Sequence, residues 1–146
     1  MTEISKVISN SPDETEKIGE KLASRLRSGD LIALYGELGS GKTCFVKGLA
    51  RGLKVKQTVK SPSYSIINEY SGKYPVFHID FYRLENDADI EGTGWLDYFD
   101  YNGIIIIEWA NRVKKLLPKR RFDVYFDVLG DETRQLEIIA VDGTWD

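Results

Sequence analysis

The chain has 146 residues, 42% of them hydrophobic and 29% charged, with a formal net charge of −3 and a single cysteine, Cys44. That length carries one domain with a proper core, and the mild negative balance excludes a global positive field for recruiting nucleic acid, so any RNA contact would be local or made through a partner. A lone cysteine excludes an internal disulfide, the polar, acidic N-terminus lacks an apolar signal core, and no apolar run approaches a membrane span; together these predict a cytoplasmic protein.

The first predicted element is a helix over "SPDETEKIGEKLASRLRSGD". Ser11 is placed to cap it, Pro12 suits its first turn, and Glu14 completes a capping box. Ile18, Leu22 and Leu26 recur every four residues as one buried stripe, and Ser28-Gly29-Asp30 ends the helix. Leu31 to Tyr35 reads as a short buried strand, followed by the loop "GELGSGKT" and a helix to about Arg51. "LKVKQTVKSPS" reads as a basic loop broken by Pro62. "YSIINEY" and "VFHIDFY" are strands joined by the turn "SGKYP". An acidic loop at 85–94 with room for one helical turn, the short amphipathic piece "WLDYF", and the central strand "GIIIIEWA" come next. "NRVKKLLPKR" predicts a short helix stopped near Pro118. "FDVYFDVL" and "TRQLEIIAV" around "GDE" predict an antiparallel hairpin. The fold class is therefore α/β, with a mixed sheet and helices packed against it.

Gly36-x-x-x-x-Gly41-Lys42-Thr43 meets every fixed position of the Walker A pattern, and a strand delivers the loop while a helix leaves it. Glycines let backbone N–H groups converge on phosphate oxygens, and the helix N-terminus favours negative charge. Lys42, expected on a solvent-facing loop, would reach the β- and γ-phosphates, and the Thr43 hydroxyl would ligate Mg²⁺. The nucleotide-binding stretch is accordingly Glu37, Leu38, Gly39, Ser40, Gly41, Lys42, Thr43 and Cys44. A thiol at a helix start is a candidate low-pKa group, but a small buried apolar role for Cys44 is the plainer reading.

Such a loop needs an acid at the end of a neighbouring strand. Glu108 follows four isoleucines and Asp80 follows "VFHI"; one would serve the Mg²⁺ shell while the other positions the attacking water. "DIEG" at 89–92 mimics a GTPase element but lacks a preceding apolar strand, and no NKxD sequence reads guanine, which favours ATP. His78 shares a sheet face with Asp80, either touching the site or sitting as a hydrogen-bonded core histidine. Arg83 is close to Asp80 and reads as a structural ion-pair partner. "SPSY" at 61–64 resembles a switch loop, and the basic stretches "KVKQTVK" and "KRR" read first as solvated surface.

The succession "GELGSGKT", "SPSY", "HIDFYRL" and "IIIIEWA" resembles the TsaE (YjeE) family, bacterial P-loop ATPases needed to make threonylcarbamoyladenosine in tRNA. The likeness runs from the capped first helix to "EWA" and weakens in the C-terminal hairpin. It implies a single-domain P-loop NTPase fold with a mixed, mostly parallel sheet, and ATP with Mg²⁺ as cofactors. It implies that Lys42 and Thr43 bind phosphate and Mg²⁺, that Glu108 supports the metal, that Asp80 is the catalytic acid, and that Trp109 belongs to the same element as Glu108. It also implies two protein partners, TsaD and TsaB. TsaD transfers the group to the adenosine beside the anticodon, so tRNA is met only through the complex, and ATP hydrolysis here would reset that complex between turnovers. Ser63 and Cys44 stand where the family usually has threonine. The competing functions are a small P-loop kinase, disfavoured because the lid stretch at 85–94 contains no arginine, and a nucleotide-sensing module that does not hydrolyse.

Overall fold

The computed structural model describes residues 3–59, 67–84 and 86–141. The chain runs β1 (Glu3–Ser9), α1 (Pro12–Ala23), β2 (Leu31–Tyr35), α2 (Lys42–Gly52), β3 (Ile67–Ser71), β4 (Pro75–Asp80), α3 (Asp87–Glu91), β5 (Ile104–Glu108), β6 (Arg121–Val128) and β7 (Arg134–Val141). A 3-10 helix at Trp95–Asp100 precedes β5. All seven strands join one sheet in the order β1-β7-β6-β2-β5-β4-β3. The four inner strands β6, β2, β5 and β4 are mutually parallel, and antiparallel pairs β6–β7, β7–β1 and β4–β3 extend both sides. The "SPSY" loop and Ser63 lie outside the described residues.

Every residue of β2 and β5 is buried, because both faces of the inner sheet are covered. On the first face Ile32, Leu34, Ile104, Ile106, Phe122 and Val124 meet Leu22, Phe45, Val46 and Leu49 from α1 and α2. On the second, Leu31, Ala33, Ile105 and Ile107 meet Ile90, Trp95, Ala110, Val113 and Leu117. Alternation along each strand thus sends even-numbered residues of β2, β4 and β5 to the helix-pair face. This parity places Asp80 and Glu108 on that face.

The cap of α1 follows the sequence closely. Ser11 is extended and its Oγ accepts from the Glu14 N–H at 3.1 Å, with Pro12 in the first turn. The Glu14 carboxylate reaches back to the Asn10 N–H at 2.5 Å, one residue before the cap. The helix ends at Ala23, earlier than Ser28, but the Arg25 and Leu26 N–H groups bond three residues back. This tighter winding keeps Leu26 in the core. The strand β1, which lies outside the elements predicted from sequence, pairs with β7 at the sheet edge and leaves Ile4 and Ile8 exposed. Its weak alternating pattern becomes a strand only because β7 offers an unpaired edge.

The predicted helix after "EWA" is instead two 3-10 turns, Ala110–Arg112 and Lys114–Leu116, interrupted at Val113. This short segment must cross β2 and return the length of the sheet to start β6 parallel to β5. A 3-10 helix advances about 2.0 Å per residue against about 1.5 Å for an α-helix, which suits so short a crossover.

Glycines let α1 and α2 touch backbone to backbone. A Cβ on Gly48 would fall 1.9 Å from the Glu16 carbonyl oxygen, and one on Gly19 2.3 Å from that of Phe45. Gly48→Ala must therefore separate the two helices, and a loss of roughly 1–3 kcal/mol is expected by the measure of overpacked cores. Urea unfolding of the variant checks this; an unchanged midpoint would contradict the close packing.

Candidate nucleotide site

Tyr35 ends β2 at the carboxyl edge of the parallel strands, and the chain turns through Gly36–Gly41 before α2 begins at Lys42. Gly39 and Gly41 have φ of 79° and 101°, a left-handed backbone that strains any residue with a Cβ. Gly41 is the N-cap and supplies no side-chain acceptor, so the first N–H groups of α2 are left for an external anion. The Ser40 hydroxyl is buried and has no hydrogen-bond partner among the described residues. An orphaned hydroxyl beside the uncapped start of α2 fits a phosphate ligand.

Lys42 departs from the expectation of a solvent-facing loop residue, being only 5% exposed. Its Nζ donates to the Gly36 and Glu37 carbonyls, and the Trp109 ring caps it at 3.8 Å from the ring centroid. Burial lowers its pKa, against the opposing pull of Glu108 and Asp80. The amine thus rests on the loop's own oxygens, a position in which a phosphate would relieve its desolvation. Trp109 reaches it through a left-handed backbone (φ 59°) directly after β5, and its ring lies against that of Tyr82, centroids 4.9 Å apart and planes tilted by 38°.

Asp80 and Glu108 are cross-strand neighbours in the parallel β4–β5 register. Both point to the helix-pair face, towards Lys42. The Asp80 Oδ1 accepts from the Tyr82 N–H at 2.9 Å. Burial pushes its carboxyl above the ordinary range, countered in part by that hydrogen bond and reinforced by the Glu108 charge. Glu108 is almost wholly buried, and its Oε2 lies 2.5 Å from His78 Nε2. His78 is therefore a hydrogen-bonded core histidine whose partner is one of the two acids.

A cavity of about 270 Å³ is lined by Leu38, Gly39, Gly41, Lys42, Thr43, Cys44, Asp80, Tyr82, Glu108 and Trp109. It gathers most of the residues expected at the site, with three differences. Glu37 lines a separate groove of about 810 Å³ beyond Trp109, together with Tyr35, Lys114 and Tyr125. Ser40 lies beneath the loop surface, within the cradle. Cys44 is half-buried on the cavity wall, not packed into the core. Leu38, 73% exposed, forms the outer lip.

Arg83 stays exposed in the turn after β4. Another arginine approaches the loop: Arg134, at the start of β7, donates to the carbonyls of Gly130, Asp131 and Thr133 and, at 3.1 Å, to that of Gly39. Nothing local in "TRQLEIIAV" signals this, because the contact spans 95 residues. Of the basic stretch at 119–121, Arg121 is committed to a buried pair with Asp123 at 2.8 Å.

The residues present fit a nucleotide phosphate and a divalent cation. Among the described residues no three metal-ligating side chains form a cage. Magnesium sites commonly need only one or two protein groups beside phosphates and waters, and Thr43 and Glu108 could supply them.

A strand, a GxxxxGKT loop and a helix at the carboxyl edge of parallel strands, faced by acids from the next two strands, define the P-loop NTPase fold. A family model described as threonylcarbamoyl adenosine biosynthesis protein TsaE matches residues 9–136, and the chain belongs to that family. It is 38% identical over 131 residues to the tRNA threonylcarbamoyladenosine biosynthesis protein TsaE of Bacillus subtilis, covering 89% of this chain and 82% of the relative. The protein of that description from Treponema pallidum is 34% identical over 131 residues, covering 90% and 97%. The crystal structure of Bacillus subtilis YdiB superposes with a TM-score of 0.84 at 33% identity, over 99% of this chain and 90% of that one. No helix among the described residues is long and apolar enough to cross a membrane.

Proposed function

We propose that this chain is a cytoplasmic, Mg²⁺-dependent ATPase that serves threonylcarbamoyladenosine synthesis on tRNA together with TsaD and TsaB. The observation that carries the reading is the placement of Asp80 and Glu108, in register on one face, across a small cavity from Lys42 and Thr43. The loop amides and Lys42 would hold the β- and γ-phosphates, with Lys42 exchanging carbonyl oxygens for phosphate oxygens. Thr43 and Glu108 would hold the cation, which when bound supplies charge neutralisation between the phosphates. Asp80, fixed through Oδ1 by the Tyr82 N–H, would orient the attacking water with its other oxygen. Its burial makes the carboxylate a stronger proton acceptor than an exposed aspartate.

The kinase alternative gains nothing from the fold. The short helix α3 buries Ile90 in the core on the opposite sheet face, so it is not a lid over the phosphates.

Among the described residues, the cations that hydrogen-bond to the phosphate loop are Lys42 and Arg134, and neither is free to clamp the transition state. Arg134 is tied to four carbonyls, and Lys42 serves the ground state as well. Arginines at the γ-phosphoryl group are worth about 10³ to 10⁵ in rate. The isolated chain is therefore expected to hydrolyse ATP slowly and to be accelerated by its partners. Phosphate release with and without a purified TsaB–TsaD complex tests this. Fast hydrolysis by the lone chain, with no gain on adding the complex, would overturn it.

A further inference from the structure

His78 is wholly buried on β4, two residues before Asp80 and therefore on the same sheet face. Its register partner on β5 is Ile106, two residues before Glu108, so the imidazole lies just beneath the acid pair. At a Nε2–Oε2 separation of 2.5 Å two lone pairs would repel, so the contact carries a hydrogen, and with Glu108 as a carboxylate Nε2–H is the donor. The hydrogen lies between them. Nδ1 finds no hydrogen-bond partner among the described residues. An imidazole placed only to fill the core would be replaced without loss by an apolar side chain, because a buried polar ring is unfavourable unless paired. Among the described residues its one hydrogen bond is with Glu108.

We propose that His78 is a positioning residue: by holding Glu108 Oε2 it presents Oε1 to the cation shell of the nucleotide site. Among the described residues Oε1 makes no hydrogen bond. Without His78 the carboxylate is free to turn about its last torsion and to swing towards Lys42, whose charge already acts on it. Each cation-binding event would then have to order the carboxylate first. Partners that orient metal-binding groups in this way typically contribute about 10- to 100-fold to metal affinity or activity. The inference rests on the reading of Glu108 as a cation-holding acid.

The test is calorimetric titration of a non-hydrolysable ATP analogue across a Mg²⁺ series, for the parental chain and for His78→Leu, His78→Gln and His78→Asn. Thermal unfolding of each variant accompanies it. Glutamine places an amide N–H near the position of Nε2 and keeps the donor; asparagine places one near Nδ1 and does not reach Glu108. His78→Leu is expected to need about tenfold or more Mg²⁺ for half-maximal binding, with affinity in the absence of Mg²⁺ unchanged. His78→Gln should move the midpoint back towards the parental value, and His78→Asn should not. A folded His78→Leu chain with the parental Mg²⁺ midpoint would overturn the inference. If that variant does not fold, equal midpoints for glutamine and asparagine would do the same. Parental binding that ignores Mg²⁺ would remove the reading of Glu108 itself, and that failure is seen without any variant.

Discussion

Lys42→Ala is expected to weaken binding of a non-hydrolysable ATP analogue by about tenfold to a hundredfold. Hydrogen bonds to charged groups contribute about 1.5–3 kcal/mol, and each 1.4 kcal/mol is a factor of ten. The fold should survive, though not for the reason the sequence offers. The lysine is buried, its amine held by two loop carbonyls and the Trp109 ring. Burial lowers its pKa against the opposing pull of Glu108 and Asp80, so removing the charge relieves a desolvation penalty as it removes contacts. The sign is testable in the unliganded protein. A lysine whose folded pKa lies below the ordinary 10.5 binds its proton less tightly when folded, so stability rises with pH as that value is approached from below. Relative to the alanine variant, the parental chain should show this rise in urea unfolding. Unchanged analogue affinity in Lys42→Ala would sink the phosphate assignment.

Asp80→Asn and Glu108→Gln should fail in different ways. Asparagine at position 80 keeps an oxygen for the Tyr82 N–H but cannot accept a proton from water. Analogue binding should stay near the parental value while hydrolysis falls about 10²- to 10⁴-fold, the range for a positioned general base. An interaction made chiefly in the transition state lowers turnover without changing ground-state affinity. Glu108→Gln should instead shift the Mg²⁺ concentration needed for binding, since a neutral amide is a poor cation ligand. Assays of partner-activated hydrolysis and of analogue binding, run in parallel, separate the two roles. Parental turnover in Asp80→Asn would withdraw its catalytic assignment.

The first-helix cap, the buried strand β2, the phosphate loop, the isoleucine strand and the hairpin were all legible in the sequence. Each rests on an interaction between residues a few positions apart: Ser11 with Glu14, glycines with the next helix turn, alternation within one strand. Asp80 and Glu108 could be chosen as strand-end acids for the same reason. Their register could not, because pairing β4 with β5 depends on which strands the sheet places side by side.

Five features were decided only by tertiary contacts. The strand β1 forms because β7 is left unpaired, and its own pattern is too weak to declare it. The segment after Trp109 winds as 3-10 turns because it must cover a fixed distance with few residues. Lys42 is buried because Trp109, 67 positions away in sequence, folds over it from the end of β5. Arg134 reaches Gly39, and His78 reaches Glu108, through strand neighbours that local sequence does not encode. The chemistry of the site is thus written as residue types along the chain, whereas the partners that orient those residues depend on the packing of the sheet: hydrogen-bond geometry is fixed by distance in space, and a sequence specifies that distance only within a few residues.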